Sequence, residues 1–124
     1  SLAARQGAII PFIAETGGLN GMFVDTTALK EQVIDDVILS AFGSSGQRCS
    51  ALRLLYVPNE AADALIEGLK GALAAQVVGD PTDPSTDIGP VIDADAKAML
   101  EAHLERLGGD AEIIARAELP DGAD

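Results

Sequence analysis

Tryptophan is absent from this chain and aromatic residues make up only 3% of it, so a core built on stacked rings is excluded. Hydrophobic residues reach 48%, and the interior they imply is aliphatic, of Leu, Ile, Val and Ala. Cysteine occurs once in 124 residues, which excludes an internal disulfide and fits a reducing, cytoplasmic compartment. Positive charge is scarce. Eight Lys and Arg stand against twenty Asp and Glu, a formal net charge of −12. Phosphate contacts need a basic surface, so direct nucleic-acid binding by this segment is excluded, and the acidity reads as favouring solubility. No His/Cys cluster has metal-ligand spacing, so no metal is expected. No apolar run approaches the roughly 18–20 residues of a membrane span. No signal peptide reads at the start, no internal repeat is evident, and this length suits one ordinary domain.

What the chain does have is a lone thiol and a separately held carboxylate. Cys49 lies in Gly46-Gln47-Arg48-Cys49-Ser50, and Glu15 lies 34 positions earlier in Ala14-Glu15-Thr16-Gly17-Gly18. Covalent catalysis on a carbonyl needs such a pair: the thiolate attacks, and the carboxylate later activates the water that releases the acyl group. Cysteine suits the first task because a useful fraction is thiolate near neutral pH, more so near a helix end or a positive field. Each half also has a plainer reading. A single cysteine is commonly a small buried hydrophobe, and Glu before Gly-Gly is commonly a turn residue, since glycine supplies backbone angles that others avoid. The spacing and the sequence around both shift the balance towards chemistry.

Strands and helices alternate along the chain. Leu2-Ala3-Ala4-Arg5 reads as the interior of a helix, and Ala8–Ala14 as a strand-like run interrupted by Pro11, as at a sheet edge. Met22-Phe23-Val24 reads as a second strand. Thr26 or Thr27 is expected to cap a helix reaching Phe42 by accepting a backbone N–H bond. Inside it Val33, Ile34, Val37, Ile38, Ala41 and Phe42 recur at helical spacing, with Lys30, Glu31 and Asp35 opposite. Gly43–Gly46 breaks that helix and leaves Cys49 in the loop beyond. Leu52–Val57 is the clearest strand and ends at Pro58. Asn59 is expected to cap a helix to Ala75, with Glu60 and Asp63 at the positive end of its dipole. Its buried stripe is Ala62, Leu65, Ile66, Leu69 and Leu73.

Gly79–Pro90 is a loop rich in Pro, Gly and Asp. Asp93 opens a last helix through Ala96, Met99, Leu100, His103 and Leu104, closed by Gly108-Gly109; His103 falls on its apolar side and reads as structural. Ala111–Ala115 predicts a strand, and Pro120–Asp124 a loop. Strands alternating with helices predict an α/β fold with a largely parallel sheet.

Three blocks carry a family resemblance. Ile13-Ala14-Glu15-Thr16-Gly17-Gly18-Leu19-Asn20 is similar to the general-base segment of the aldehyde dehydrogenase superfamily, usually Glu-Leu-Gly-Gly. The stretch Ser40 to Arg53, with Gly46-Gln47-Arg48-Cys49 at its heart, resembles the nucleophile segment. Val78-Gly79-Asp80-Pro81 with Asp87-Ile88-Gly89-Pro90-Val91-Ile92 resembles the Gly-(Asn/Asp)-Pro…Gly-Pro block. The resemblance covers almost the whole chain, in the family's order and spacing. Thr16, Arg48 and Ser50-Ala51-Leu52-Arg53 look most like the Δ1-pyrroline-5-carboxylate (L-glutamate γ-semialdehyde) dehydrogenase module of bifunctional proline utilization A proteins. Aminoadipate- and methylmalonate-semialdehyde dehydrogenases carry similar Gly-Gln-Arg-Cys segments and remain alternatives.

The resemblance implies a partial aldehyde dehydrogenase fold, mostly the catalytic thiol domain. Residues 1–17 resemble the end of the NAD-binding domain and residues 18–124 the N-terminal part of the catalytic domain. A cleft between two domains is where cofactor and aldehyde meet while water is excluded. In the implied mechanism Cys49 is the nucleophile, its backbone N–H stabilises the oxyanion and Glu15 is the base. Thr16 and Gly17 either offer backbone atoms to the nicotinamide of NAD or serve turn geometry alone. Ser50 either contacts the substrate or is a plain loop hydroxyl. Arg48 either biases the thiol or points away into an ion pair, and Gly89-Pro90 reads as a packing turn.

Much of the family's machinery has no counterpart here: the cofactor-binding fold, an oxyanion asparagine and a later Glu-x-Phe-Gly-Pro segment. The chain therefore reads as an excised piece, expected to be inactive alone and to bind no NAD. FAD would belong only to a proline dehydrogenase module of a parent chain, itself cytoplasmic or peripheral at the inner membrane. The partners implied are a small-molecule aldehyde and further copies of the chain, since uncovered helix faces favour self-association. Two other classes stay open. A CoA-acylating relative or thiol acyltransferase is one, although the former needs no base such as Glu15 to activate water. A non-catalytic assembly module is the other.

Overall fold

The computed structural model describes Gly7 and residues 13–120. The helical reading of Leu2–Arg5, most of the strand-like run at Ala8–Ala14 and residues 121–124 lie outside the described residues; Ile13 and Ala14, which end that run, are in no strand. The element order is β1 (Asn20–Phe23), α1 (Lys30–Phe42), a 3₁₀ turn (Gly43–Gly46), β2 (Leu52–Tyr56), α2 (Asn59–Ala74) and α3 (Ala94–Leu107). The two strands pair in parallel. Parallel neighbours need a crossover, and α1 supplies it, so the centre of the molecule is one β-α-β unit. Asn20 stands opposite Leu52 but Gly21 opposite Leu54. Arg53 is thus an extra residue, a bulge that re-aims its side chain.

The core forms where the apolar stripes were expected. Val33 and Val37 of α1, Leu52 of β2 and Leu65 of α2 make one buried cluster, with Leu65 only 1% exposed. Ile34, Ala41, Leu55 and Leu69 pack around it. Two helix starts differ from expectation. The Thr27 N–H and hydroxyl both donate to Asp25 Oδ1, at 2.9 and 2.7 Å, in a turn that precedes α1; the helix begins at Lys30, and Leu29 holds its cap position with no side-chain bond. Asn59 is the first helical residue of α2 and makes no capping bond; Pro58, at φ −65°, holds the cap position. Asp93 behaves as read, its Oδ1 accepting the Ala96 N–H at 2.8 Å to cap α3.

No residue of α3 is buried. His103 is therefore exposed and outside any core, its Nδ1 lying 2.9 Å from Arg106 Nη2. The strand expected at Ala111–Ala115 does not form. The Asp110 and Ala111 N–H groups both bond Leu107 O, and the chain then runs without regular structure to Pro120. A strand exists only with a ladder partner for its N–H and C=O groups, and none faces this stretch among the described residues. Instead Glu112–Ala115 borders a cavity of about 400 Å³ beside Val37, Leu55 and Leu69. No described helix is long and apolar enough to cross a membrane.

Candidate functional site

The site grows out of the end of α1. Helix α1 stops at Phe42 and the chain reverses through Gly43–Gly46, where Ser44 and Ser45 both take φ 55° and Gly46 takes φ 67°. A left-handed conformation costs a non-glycine residue roughly 1–2 kcal/mol, so neighbouring contacts have to hold this turn. Ser45 Oγ donates to Gly89 O at 2.5 Å, and the Gln47 N–H donates to Ser44 O at 3.0 Å. Glycine is required at 46 on a second count, because a Cβ there would stand 2.8 Å from Ala41 O. The bulge at Arg53 now finds its use: its guanidinium donates to Gly46 O from below.

The next residues are pinned one by one. Gln47 Oε1 accepts the Ile92 N–H at 2.7 Å, and its Nε2 donates to Ser44 O at 3.1 Å. Gly89 and Pro90 are in no regular element, and their carbonyls accept from Ser45 and Gln47 and so pack this loop on the thiol-bearing segment. Arg48 Nη2 donates to Leu39 O at 2.8 Å and to Ser40 O at 3.4 Å. Its charge satisfies carbonyls at the C-terminal end of α1, and it makes no ion pair and no hydrogen bond to the thiol among the described residues. Ser40 Oγ accepts the Leu52 N–H at 3.2 Å, tying the start of β2 to the same helix.

Between these anchors the Ala51 N–H bonds Arg48 O at 3.1 Å and closes a turn with Cys49 and Ser50 at its centre. Both central residues are exposed. The lone cysteine is therefore not a small buried hydrophobe. Its N–H meets no acceptor among the described residues. Behind the turn, Asn20 Nδ2 donates to Cys49 O at 2.7 Å and to Ala51 O at 3.0 Å. Beside Asn20, a Cβ added to Gly18 would overlap Cys49 O. Glycine at this position lets the two segments meet backbone to backbone.

That contact brings the two halves of the site into one neighbourhood. Three residues of extended chain span at most about 10 Å, which limits how far Glu15 lies from Gly18. Glu15, Thr16 and Gly17 are exposed, in no regular element, and make no hydrogen bond among the described residues. Ser50 likewise makes none. A Cβ built on Gly17 meets nothing within 4 Å. Sequence reasoning missed Asn20, Arg53, Ser45 and Gln47. Each acts on a backbone carbonyl or N–H brought near by the fold; all four stood inside the singled-out motifs, where no role was read for them. The described residues hold no group of three or more His, Cys, Asp or Glu placed for a metal.

Comparison with known proteins adds the following. Residues 1–122 match the family model described as the aldehyde dehydrogenase family. Bifunctional protein PutA of Escherichia coli (strain K12) is 55% identical over 102 residues, which are 82% of this chain and 8% of that protein. A 1-pyrroline-5-carboxylate dehydrogenase of Geobacillus sp. (strain WCH70) is 38% identical over 93 residues, 75% of this chain and 18% of that one. A crystal structure of a variant of Bradyrhizobium japonicum proline utilization A (PutA) superposes with a TM-score of 0.85 at 52% identity, over 98% of this chain and 12% of that one. The chain thus spans less than a fifth of the length of these relatives.

Proposed function

The chain belongs to the aldehyde dehydrogenase family, and from that premise we propose that it is the thiol-bearing segment of an NAD-dependent enzyme oxidising L-glutamate γ-semialdehyde to glutamate in proline catabolism. The names of the relatives at 55% and 38% identity support that aldehyde over the aminoadipate and methylmalonate semialdehydes. In this reading residues 1–17 end the cofactor domain and residues 18–124 begin the catalytic domain. One observation carries the catalytic part: an exposed cysteine on a turn fixed from behind by Asn20 and touched by Gly18, three residues after a carboxylate.

Cys49 Sγ, as thiolate, forms a bond to the aldehyde carbon while the carbonyl π electrons move to oxygen. The free Cys49 N–H donates to that oxyanion; one such donor is worth about 10²–10³ in rate. Thr16 and Gly17 would hold the nicotinamide of NAD, which would supply the hydride acceptor needed to take the thiohemiacetal on Cys49 to a thioester. Glu15 then takes a proton from water as its oxygen bonds to the acyl carbon, and the C–S bond breaks to return the thiolate and release the carboxylate. Ser50, free and adjacent, contacts the substrate. NADH formation by the full-length enzyme is the test, with the three semialdehydes compared by kcat/KM. Preference for glutamate semialdehyde supports the assignment. Preference for either of the others overturns it and leaves the family intact.

A further inference from the structure

We propose that Asn20 is a positioning residue for the nucleophile, holding the Cys49 turn in the one orientation that presents thiol and N–H together; the proposal rests on the reading of Cys49 as that nucleophile. Two peptide planes flank Cys49. The plane before it is held through Arg48 O, which accepts the Ala51 N–H at 3.1 Å. The plane after it is held through Cys49 O, which accepts from Asn20 Nδ2 at 2.7 Å. With both planes fixed, the φ and ψ of Cys49 are fixed, and so is the direction of its unpaired N–H.

The second proton of the same Asn20 amide goes to Ala51 O at 3.0 Å, so the carboxamide spans the turn and spends both donors on it. None is left for an oxyanion, and the role is therefore indirect. The chemistry is specific to an amide. An aspartate of the same shape would set carboxylate lone pairs against two carbonyl oxygens, a repulsive arrangement with no donor. Place matters too. Asn20 starts β1 and follows Gly18, whose backbone lies against Cys49 O. The residue that orients the thiol turn thus lies five positions after Glu15, at the start of the strand that follows the Gly17-Gly18 pair.

The test uses the full-length enzyme that carries this chain, with glutamate semialdehyde and NAD⁺. Wild type is compared with Asn20→Ala, Asn20→Asp and, as a control on the underlying reading, Cys49→Ala. A misplacement of about 1 Å costs about 10²-fold, so both Asn20 variants are expected to lose about that much kcat while KM for the aldehyde changes by less than about threefold. The rate of Cys49 alkylation by iodoacetamide is expected to fall with kcat, with Asn20→Asp at least as impaired as Asn20→Ala. Asn20→Ser, which keeps one donor, replaces any variant that does not accumulate folded, with a smaller loss expected. Unchanged kcat and alkylation with only a lowered melting temperature would reduce Asn20 to a brace and overturn the proposal. A rise in KM at constant kcat would also overturn it. Activity surviving in Cys49→Ala would instead sink the nucleophile reading itself.

Discussion

The side chains of Cys49 and Glu15 are exposed and hold no hydrogen-bond partner among the described residues, so nothing about either side chain alone marks it. What marks the thiol is its backbone. Gly18 gives the most direct handle on that backbone, because a single methyl there meets Cys49 O. Gly18→Ala is expected to push the two segments apart and lower kcat of the full-length enzyme by about 10²-fold, whereas Gly17→Ala, with open space around it, leaves the Cys49 turn undisturbed. Iodoacetamide labelling of Cys49 in the two variants checks the contrast. Cys49 stood out in the sequence as the one thiol of the chain, and Glu15, one of many carboxylates, only through the contiguous motif around it. Asn20 and Arg53 were not. Their partners, Cys49 O, Ala51 O and Gly46 O, lie far along the chain or across a bulge, and only the register of β1 on β2 brings them within reach.

At the scale of elements, periodicity located α1, α2 and α3 and the faces that two of them bury, but capping residues were read unevenly. Asp93 caps as expected because nothing competes for its oxygen. Thr27 fails because the turn that Asp25 organises ends before α1 begins, and Leu29, two residues further on, holds the cap position. The same local geometry recurs twice in the Gly79–Pro90 loop. Asp80 Oδ1 takes the Thr82 N–H and hydroxyl, each at 2.8 Å, and Asp83 Oδ1 takes the Ser85 N–H and hydroxyl at 2.9 and 2.8 Å. These bonds, the backbone N–H foremost, hold both carboxyls below the usual aspartate range. A depressed pKa means that the turn is intact above the ordinary value and is lost as pH falls through the lowered one. Carboxyl titration by NMR is expected to show both midpoints below that of a free aspartate; midpoints at or above it would contradict these turns. In the core, Leu65→Ala is expected to destabilise by about 2–5 kcal/mol in denaturant unfolding, since Leu65 sits between α1 and the sheet at 1% exposure. The strand expected at Ala111–Ala115 shows the opposite limit. An apolar run predicts a strand only where an edge is offered to it.

For the molecule as a whole, acidity and apolar exposure pull in different directions. The net charge of −12 favours dispersal. Against it, Ile92 is 83% exposed and Met99 67%, and Leu100, Leu104, Ile113 and Leu119 are open as well. A surface of this kind marks a face that packs on something else. The 124-residue chain by itself is expected to associate as its concentration rises; a monodisperse monomer by light scattering would contradict that. The central claim concerns the covalent path, and trapping tests it most directly. In the full-length enzyme, Glu15→Gln mixed with glutamate semialdehyde and NAD⁺ is expected to give one rapid equivalent of NADH per thiol and then stall. Mass spectrometry of the quenched protein should then find the glutamyl acyl group on the peptide containing Cys49. Steady wild-type turnover with an unmodified Cys49 would contradict the account.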